Sequence, residues 1–525
     1  MDLCALLTTI PILALVSLAF IPPTVANANA GVLRRGVTTV IGIETLLALL
    51  LLIEWVWMGR TPLSLNLSDS AAGFFSLYID GASILMLGLV SFVGFSVSRF
   101  SIRYLDGEAM QGRYFCWLGF AVGAVSLMVV AGNLLLFFLA WVMTSFALHQ
   151  LLLHYRHRDA AHRAAWTKFV ISRLGDAFLI AALVVTWKTF GTFELASLLD
   201  SATQLGGTSD VGTAHLAVGW LIVLGAVTKS AQFPFHTWLP DTMETPTPVS
   251  ALMHAGIVNA GGYLIIRMSP LVSLAPAAMV TLAVIGAFTA CFAGVVMMTQ
   301  PSIKRSLAYS TIAQMGFMML QCGIGAFAAA MLHILAHSLY KAHAFLSSGS
   351  VVANTASLSE VPSPKPSAQK SFASTLVAGA ASLFAILITA RLLGLDLAAK
   401  PGGYLLAFVL FVAMTSWGWR LLSFGNQKAA LVGAIGVLLL SSSYVAGYLV
   451  VAWLLGPMIP TIMLSPSMQF VLFDIALAFC LLFGLHLVIV QRLKPSWLEA
   501  FRVHASNGFY LDVIYQRVFG PIAKS

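Results

Sequence analysis

Apolar runs of about 20 residues, parted by short polar stretches, follow one another along the chain, a length that matches what a helix needs to cross a bilayer. About fifteen spans can be drawn on this basis, near 3–23, 35–58, 82–98, 114–131, 133–153, 167–187, 213–232, 247–267, 271–299, 307–322, 325–350, 372–395, 403–421, 429–455 and 468–490. The runs are continuous instead of alternating, which argues against a β-barrel and predicts an all-α polytopic membrane protein. The first run, Leu3 to Pro22, has no basic region before it and no small-residue cleavage site, and reads as a span and not a removed signal.

The loops carry the next layer of pattern. Basic residues follow the odd-numbered spans, the seventh excepted: Arg34 and Arg35; Arg99, Arg103 and Arg113; Arg156, Arg158, Arg163 and Lys168; Lys304 and Arg305; Lys365 and Lys370; Lys428; and Arg492, Lys494 and Arg502. Loops after even spans hold mostly acids, such as Glu194, Asp200 and Asp210, or nothing. The positive-inside rule then predicts an outside N-terminus and a cytoplasmic C-terminus in the cell inner membrane. The stretch His154 to Lys168 reads as a solvated cytoplasmic loop, with metal binding by its histidines as the alternative. Asn354 to Gln369, with Pro362, Pro364 and Pro366, reads as a polar linker. The mixed aromatic and charged segment from Ser496 onward fits an interfacial helix or a docking tail.

One interruption organises the rest. Lys229 follows an uncharged apolar stretch from Leu216 to Val227, and a charge at a helix centre in a bilayer costs roughly 2.5–3.5 kcal/mol on insertion scales. Pro234 and Pro240 then remove backbone donors, so Phe233 to Thr245 is expected to be non-helical. Irregular backbone at membrane depth is tolerated only beside protein or a wet cavity, which places Lys229, His236, Asp241 and Glu244 at or near a wet interior. Thr247 as N-cap with Pro248 behind it starts a helix that carries His254 inward. Both residues also have plainer readings, Lys229 as a snorkelling side chain and His254 as a satisfied core histidine.

A second interruption precedes SLAYSTIAQMGFMML at Pro301, Lys304 and Arg305. Beyond it His333, His337 and Lys341 recur at i, i+4 and i+8, one helix stripe drifting about 40° per step. Imidazoles and a desolvated lysine on one stripe make a proton relay if water links them, or buried interhelical hydrogen bonding if it does not. Asp176, three residues after Arg173, is the natural counterion, to Arg173 itself or shared with Lys229. Glu44, Asp80 and Asp474 also sit in or near apolar runs and read as ion-pair partners.

Composition sharpens the class. With 59% hydrophobic and 9% charged residues in 525, and a mean hydropathy of +0.92, a soluble fold is excluded. The net charge of +9 belongs to loops and points to a membrane face, not to nucleic acid. Five cysteines without CxxC spacing, no phosphate-binding glycine loop, no HExxH and no four-ligand metal pattern argue against ATP hydrolysis or a resident cofactor.

The stretches TKSAQFPFHTWLPDTMETPTPVSALMHA, PSIKRSLAYSTIAQMG and HILAHSLYKAHAFLSSGSV, with FSLYIDGAS, AGNLLLFFLAW and SRLGDAF, resemble the proton-translocating antiporter-like subunits shared by respiratory complex I and multisubunit cation/proton antiporters. The likeness runs from about Phe75 to Val352, and the tail NGFYLDVIY is similar to the subunit-5 type. It implies two inverted repeats, each with a broken helix, and ion-translocating roles for Lys229, His254, His333, His337 and Lys341. It divides the chain into N-terminal helices (1–74), an ion-translocating core (75–352), C-terminal helices (353–495) and a cytoplasmic or interfacial tail (496–525). Three departures stand out. Val142 occupies the place of the glutamate that usually follows the tryptophan of the fifth span. Residues 372–400 lack the late proline-rich break with its lysine, Arg391 being the only cation in the span drawn at 372–395. The chain stops at Ser525 without the long lateral helix of a complex I subunit.

HSLYKAHAFLSSGS and METPTPVSALMHAGIVNAGGYLIIR are most similar to the membrane subunit of the two-component DAB inorganic-carbon accumulation system. That likeness implies a DabA-like peripheral zinc protein as partner and H⁺ or Na⁺ as the driving ion, with vectorial CO₂ hydration to bicarbonate at the partner. The chain itself would be no enzyme. Two rivals remain at this level: a proton-pumping or Na⁺/H⁺ antiporter subunit of a larger complex, and a passive scaffold whose polar groups only hold helices together.

Overall fold

The computed structural model describes residues 2–66, 74–208, 210–350, 368–424, 427–456, 459–460, 466–490, 496–511, 513 and 517. The linker read at 354–369 and the basic stretch Arg492 to Lys494 fall outside them, save for 368–369. Every apolar run lies on helix. In order these are α1 (Asp2–Ser17), α2 (Ala30–Trp57), α3 (Gly81–Tyr104), α4 (Gln111–Val130), α5 (Leu134–Leu152), α6 (Asp159–Phe190), the short amphipathic α7 (Leu195–Leu205) and α8 (Thr213–Lys229). Then follow α9 (Thr247–Ala255), α10 (Ala260–Arg267), α11 (Pro276–Thr299), α12 (Ile303–Gly323) and α13 (Phe327–Leu346). The remainder are α14 (Ala368–Leu392), α15 (Gly403–Phe424), α16 (Gln427–Leu455), α17 (Pro466–Val490) and α18 (Ser496–Ser506).

Among the described residues twelve helices are long and apolar enough to cross a bilayer, α9 and α10 counting together as one. The other three segments drawn from the sequence fall on α8, α12 and α13. Helix α8 has 17 residues because the chain breaks just after Lys229. Helices α12 and α13 have 21 and 20 residues, but hydroxyl, amide and histidine side chains dilute their apolarity.

Helix α6 starts earlier than the loop reading allowed. Ala161, Ala164, Ala165 and Lys168 are buried at i, i+3, i+4 and i+7, so the alanine-rich start of the expected loop forms a helical face instead. Only 156–158 remain between α6 and the 3₁₀ turn that ends α5. Lys168, read as a loop charge, is thereby a buried residue of the helix.

Contacts sort the loops into two sets. On one face Arg34 pairs with Asp106, His154 and Tyr155 reach Glu108, Arg158 pairs with Glu244, and Gln300 donates to the Ser506 carbonyl. On the other, β1 (Leu63–Asn66) and β2 (Ser76–Ile79) form an antiparallel pair, Leu77 bridges to Ala131, and Asn133 bridges to Glu194. There Asp80 caps α3, its carboxylate accepting from Ser83 N at 2.8 Å, and forms a buried ion pair with Arg267, which also donates to the Tyr78 carbonyl at 3.0 Å. Burying both charges is sustainable because they pair and a second guanidinium nitrogen finds backbone oxygen, although Arg267 Nε stays unpaired.

Helices α4 and α9–α10 form the centre: 89% and 100% of their apolar windows are buried, against 6% for α17 at the rim. Helices α11 and α12 are an antiparallel hairpin joined by Gln300–Ser302. A Cβ on Gly316 would meet Ala290 N at 2.5 Å and Gly286 O at 2.7 Å, so the two backbones touch directly there.

Candidate functional site: two buried lysines

The two interruptions take different forms. The first breaks a helix. Helix α8 ends at Lys229, Ala231 takes φ 50°, and the Phe233–Pro234 peptide is cis. A single turn at Trp238–Asp241 and a 3₁₀ turn at Thr242–Glu244 follow before α9. Helix α9 begins one residue earlier than the capping pattern implied, with Pro246 as N-cap and Thr247 as its first residue, because proline at either side of Thr247 suits the first turn. The broken backbone is secured by Phe233 N donating to Thr289 Oγ1 of α11 at 3.0 Å, and by Gln232 Nε2 donating to the Ser230 carbonyl at 2.8 Å. The second interruption, at Pro301, is the turn of the α11–α12 hairpin. Helix α14, where the sequence lacks a late break, runs on without one.

Lys229 is buried against α5. Its ammonium donates to Thr144 Oγ1 at 2.8 Å, Ser145 Oγ at 2.9 Å and the Trp141 carbonyl at 3.3 Å, and lies 4.4 Å from the centre of the Trp141 ring. Thr144 spends its own proton on the Trp141 carbonyl at 2.7 Å, leaving its lone pairs to the lysine. Hydroxyls one turn on from the Trp–Val pair thus stand where an acid at Val142 would have served. Asp176 is held by Trp141 Nε1 at 3.1 Å and by Arg173 at 2.7 Å, and makes no ion pair with Lys229. The alternative in which Arg173 and Asp176 pair with each other is the one the structure adopts.

Sequence reasoning missed three members of this cluster. Thr144 and Ser145 carry no signal, since such hydroxyls mostly bond their own helix backbone. Lys168 donates to the Ser145 carbonyl at 2.6 Å, so one serine receives two lysines, Lys229 on its side chain and Lys168 on its backbone.

Lys341, on α13, is fully buried with a single hydrogen bond, to the Leu307 carbonyl of α12 at 3.3 Å. The His254 ring stacks on Phe345 at 4.4 Å, and both its nitrogens are unpaired. His337 faces the His254 backbone with Nε2 unpaired, and its ring centre is 6.0 Å from that of His333, which reaches Gln321 Oε1 at 3.0 Å. Between the two lysines, Asn259 donates to Ser338 Oγ at 2.8 Å while its Oδ1 stays unpaired. A 3₁₀ turn at Ile257–Asn259, not foreseen, loosens the helix beside His254.

The remaining expected residues lie apart. His236 is buried in the break among Phe233 and Phe292 with Nδ1 unpaired. Asp241 and Glu244 are exposed instead of facing a wet interior, and Glu244 pairs with Arg158 at 3.3 Å, because the turns at 238–244 carry them to the loop face. Lys304 stands half-buried at the start of α12.

Residues 131–431 match the family described as NADH:quinone oxidoreductase/Mrp antiporter, transmembrane region, and residues 70–115 match the N-terminus of complex I chain 5. The chain is 35% identical over 522 residues to the Halothiobacillus neapolitanus protein named "Probable inorganic carbon transporter subunit DabB2", covering 98% of this chain and 93% of that one. It is 38% identical to NADH-quinone oxidoreductase subunit L of Pseudomonas aeruginosa over 57% of this chain and 48% of the relative. The fold is like that of a chain in the Mrp complex of a Dietzia species, with a TM-score of 0.66, 22% identity, and coverage of 98% of this chain and 59% of the other.

Proposed function

We propose that this chain, which belongs to the NADH:quinone oxidoreductase/Mrp antiporter family of membrane subunits, couples downhill H⁺ movement to inorganic-carbon uptake. The observation that carries the reading is Lys229, a buried ammonium at a helix break, bound by hydroxyls and a carbonyl and not by a carboxylate. A lysine locked to an acid cannot give its proton up cheaply, whereas neutral oxygens hold both the ammonium and the amine. Asp176 and Lys168, one residue removed on either side, pass a change of charge to Lys229 without contact with it. From there the proton's route runs past Asn259 and Ser338 to His254, Lys341, His337 and His333 within residues 75–352, with water completing the bonds that the unpaired histidine and asparagine atoms seek.

The near full-length likeness to a carbon-transporter subunit supports the rest of the reading. A DabA-like peripheral zinc protein hydrates CO₂ to bicarbonate, and the loop face that gathers Arg34, Arg158 and the start of α12 is cytoplasmic, with the N-terminus outside. The test is to purify the tagged protein from detergent-solubilised membranes and to determine the mass and zinc content of what accompanies it. One large zinc-bearing soluble partner, with bicarbonate uptake abolished by an uncoupler, is the expected result. A set of small hydrophobic subunits would instead make this an antiporter or pump component. Partner activity indifferent to uncouplers would make it a scaffold.

A further inference from the structure

Glu44 lies outside the lysine and histidine route. It sits mid-way along α2, fully buried, and neither carboxyl oxygen has a hydrogen-bond partner; the hydroxyl that faces it, Ser126 on α4, is unpaired as well. The expectation of an ion-pair partner fails here. Three helices pack on α2, with Gly42 against Phe95 of α3, and with Ile41 and Val122 of α4 both against Gly94 of α3; Leu15 of α1 closes over Gly123 of α4. Their titratable side chains stand elsewhere along their lengths. Cys4 of α1 lies near Glu54, ten residues or about 15 Å of helix from Glu44. Arg99, Arg103 and Tyr104 occupy the last turns of α3, and Arg113, Tyr114 and Cys116 the first turns of α4.

A carboxylate buried among apolar side chains, with no cation beside it and one unengaged hydroxyl facing it, is far less stable than the neutral acid, so a group in this setting holds a proton. A polar step toward the loop face exists: Thr38, six residues or about 9 Å back along α2, shares a hydrogen bond with Ser98, and beyond it Arg34 pairs with Asp106 at the surface. We propose that Glu44 is a second proton-binding site, a neutral carboxyl in the N-terminal helices that exchanges its proton and is modified by a hydrophobic carbodiimide. In that reaction the carboxyl proton moves to a carbodiimide nitrogen and the carboxylate oxygen adds to the central carbon. The acyl group of the O-acylisourea then shifts to nitrogen, leaving a stable N-acylurea with nothing lost. This proposal is independent of the Lys229 reading.

The test uses the full chain in lipid vesicles. Dicyclohexylcarbodiimide is expected to add one adduct at Glu44, found by peptide mass, which a water-soluble carbodiimide does not form and which Glu44→Gln loses. Infrared spectra are expected to show a protonated-carboxyl C=O band that shifts in D₂O and vanishes in Glu44→Gln. If that variant does not accumulate, Ser126→Ala is expected to keep the band and displace it. No adduct at Glu44, no protonated-carboxyl band, or a band unmoved by D₂O would overturn the proposal.

Discussion

Lys229 and Lys341 are housed by opposite means. Lys229 has three oxygen acceptors and an aromatic face, so its charge is well provided for even with Lys168 bound to the Ser145 carbonyl nearby. Lys341 has one long hydrogen bond and a more distant aromatic ring, that of Tyr340 at 5.5 Å. On the proposed route, the first position is suited to hold a proton and the second to let it pass. The proposed relay therefore does not repeat one kind of site; it joins sites at which the charged form is supported to different degrees.

Substitutions can break or sharpen that contrast. Lys229→Ala is expected to abolish uncoupler-sensitive inorganic-carbon uptake altogether while the protein still accumulates in membranes; retained uptake would remove Lys229 from the route. Lys341→Ala is expected to lower uptake by at least about tenfold, equivalent to ~1.4 kcal/mol of barrier, measured as initial rates at matched protein levels. Val142→Glu, which restores an acid next to Trp141, should lock Lys229 as an ion pair and slow uptake several-fold; faster uptake would show that hydroxyl solvation of Lys229 is a handicap. Thr144→Val keeps the shape and deletes one bond to a charged group, worth roughly 1.5–3 kcal/mol, part of which Ser145 and water replace; a drop of a few-fold, smaller than for Val142→Glu, is expected. Glu244→Gln, in an exposed pair worth about 0–1 kcal/mol, should leave uptake unchanged, and a large loss would return that acid to the route.

The scaffold was legible because apolar runs of membrane-crossing length have few competing readings, and Lys229, His254, His333, His337 and Lys341 stood out as polar residues inside such runs. What supports them did not stand out. Thr144 and Ser145 are ordinary residues until α5 and α8 pack, and Lys168 looked like a loop charge until α6 began at Asp159. Asp241 and Glu244 misled for the converse reason: acids near a break suggest an interior, but the turns at 238–244 bring them to the surface. Glu44 showed as a deep acid, yet only packing reveals that no cation or hydrogen bond answers its carboxyl.

The α11–α12 hairpin holds both lysine regions at once: Thr289 on one arm anchors the broken backbone at Phe233, and Leu307 on the other accepts the Lys341 ammonium. Backbones in direct contact at Gly286 and Gly316 cannot slide like gears or swing like a hinge without losing that contact. The hairpin is a girder, and on the proposed route any traffic past it falls to the lightest parts, side-chain rotamers, protons and water, instead of to whole helices in motion.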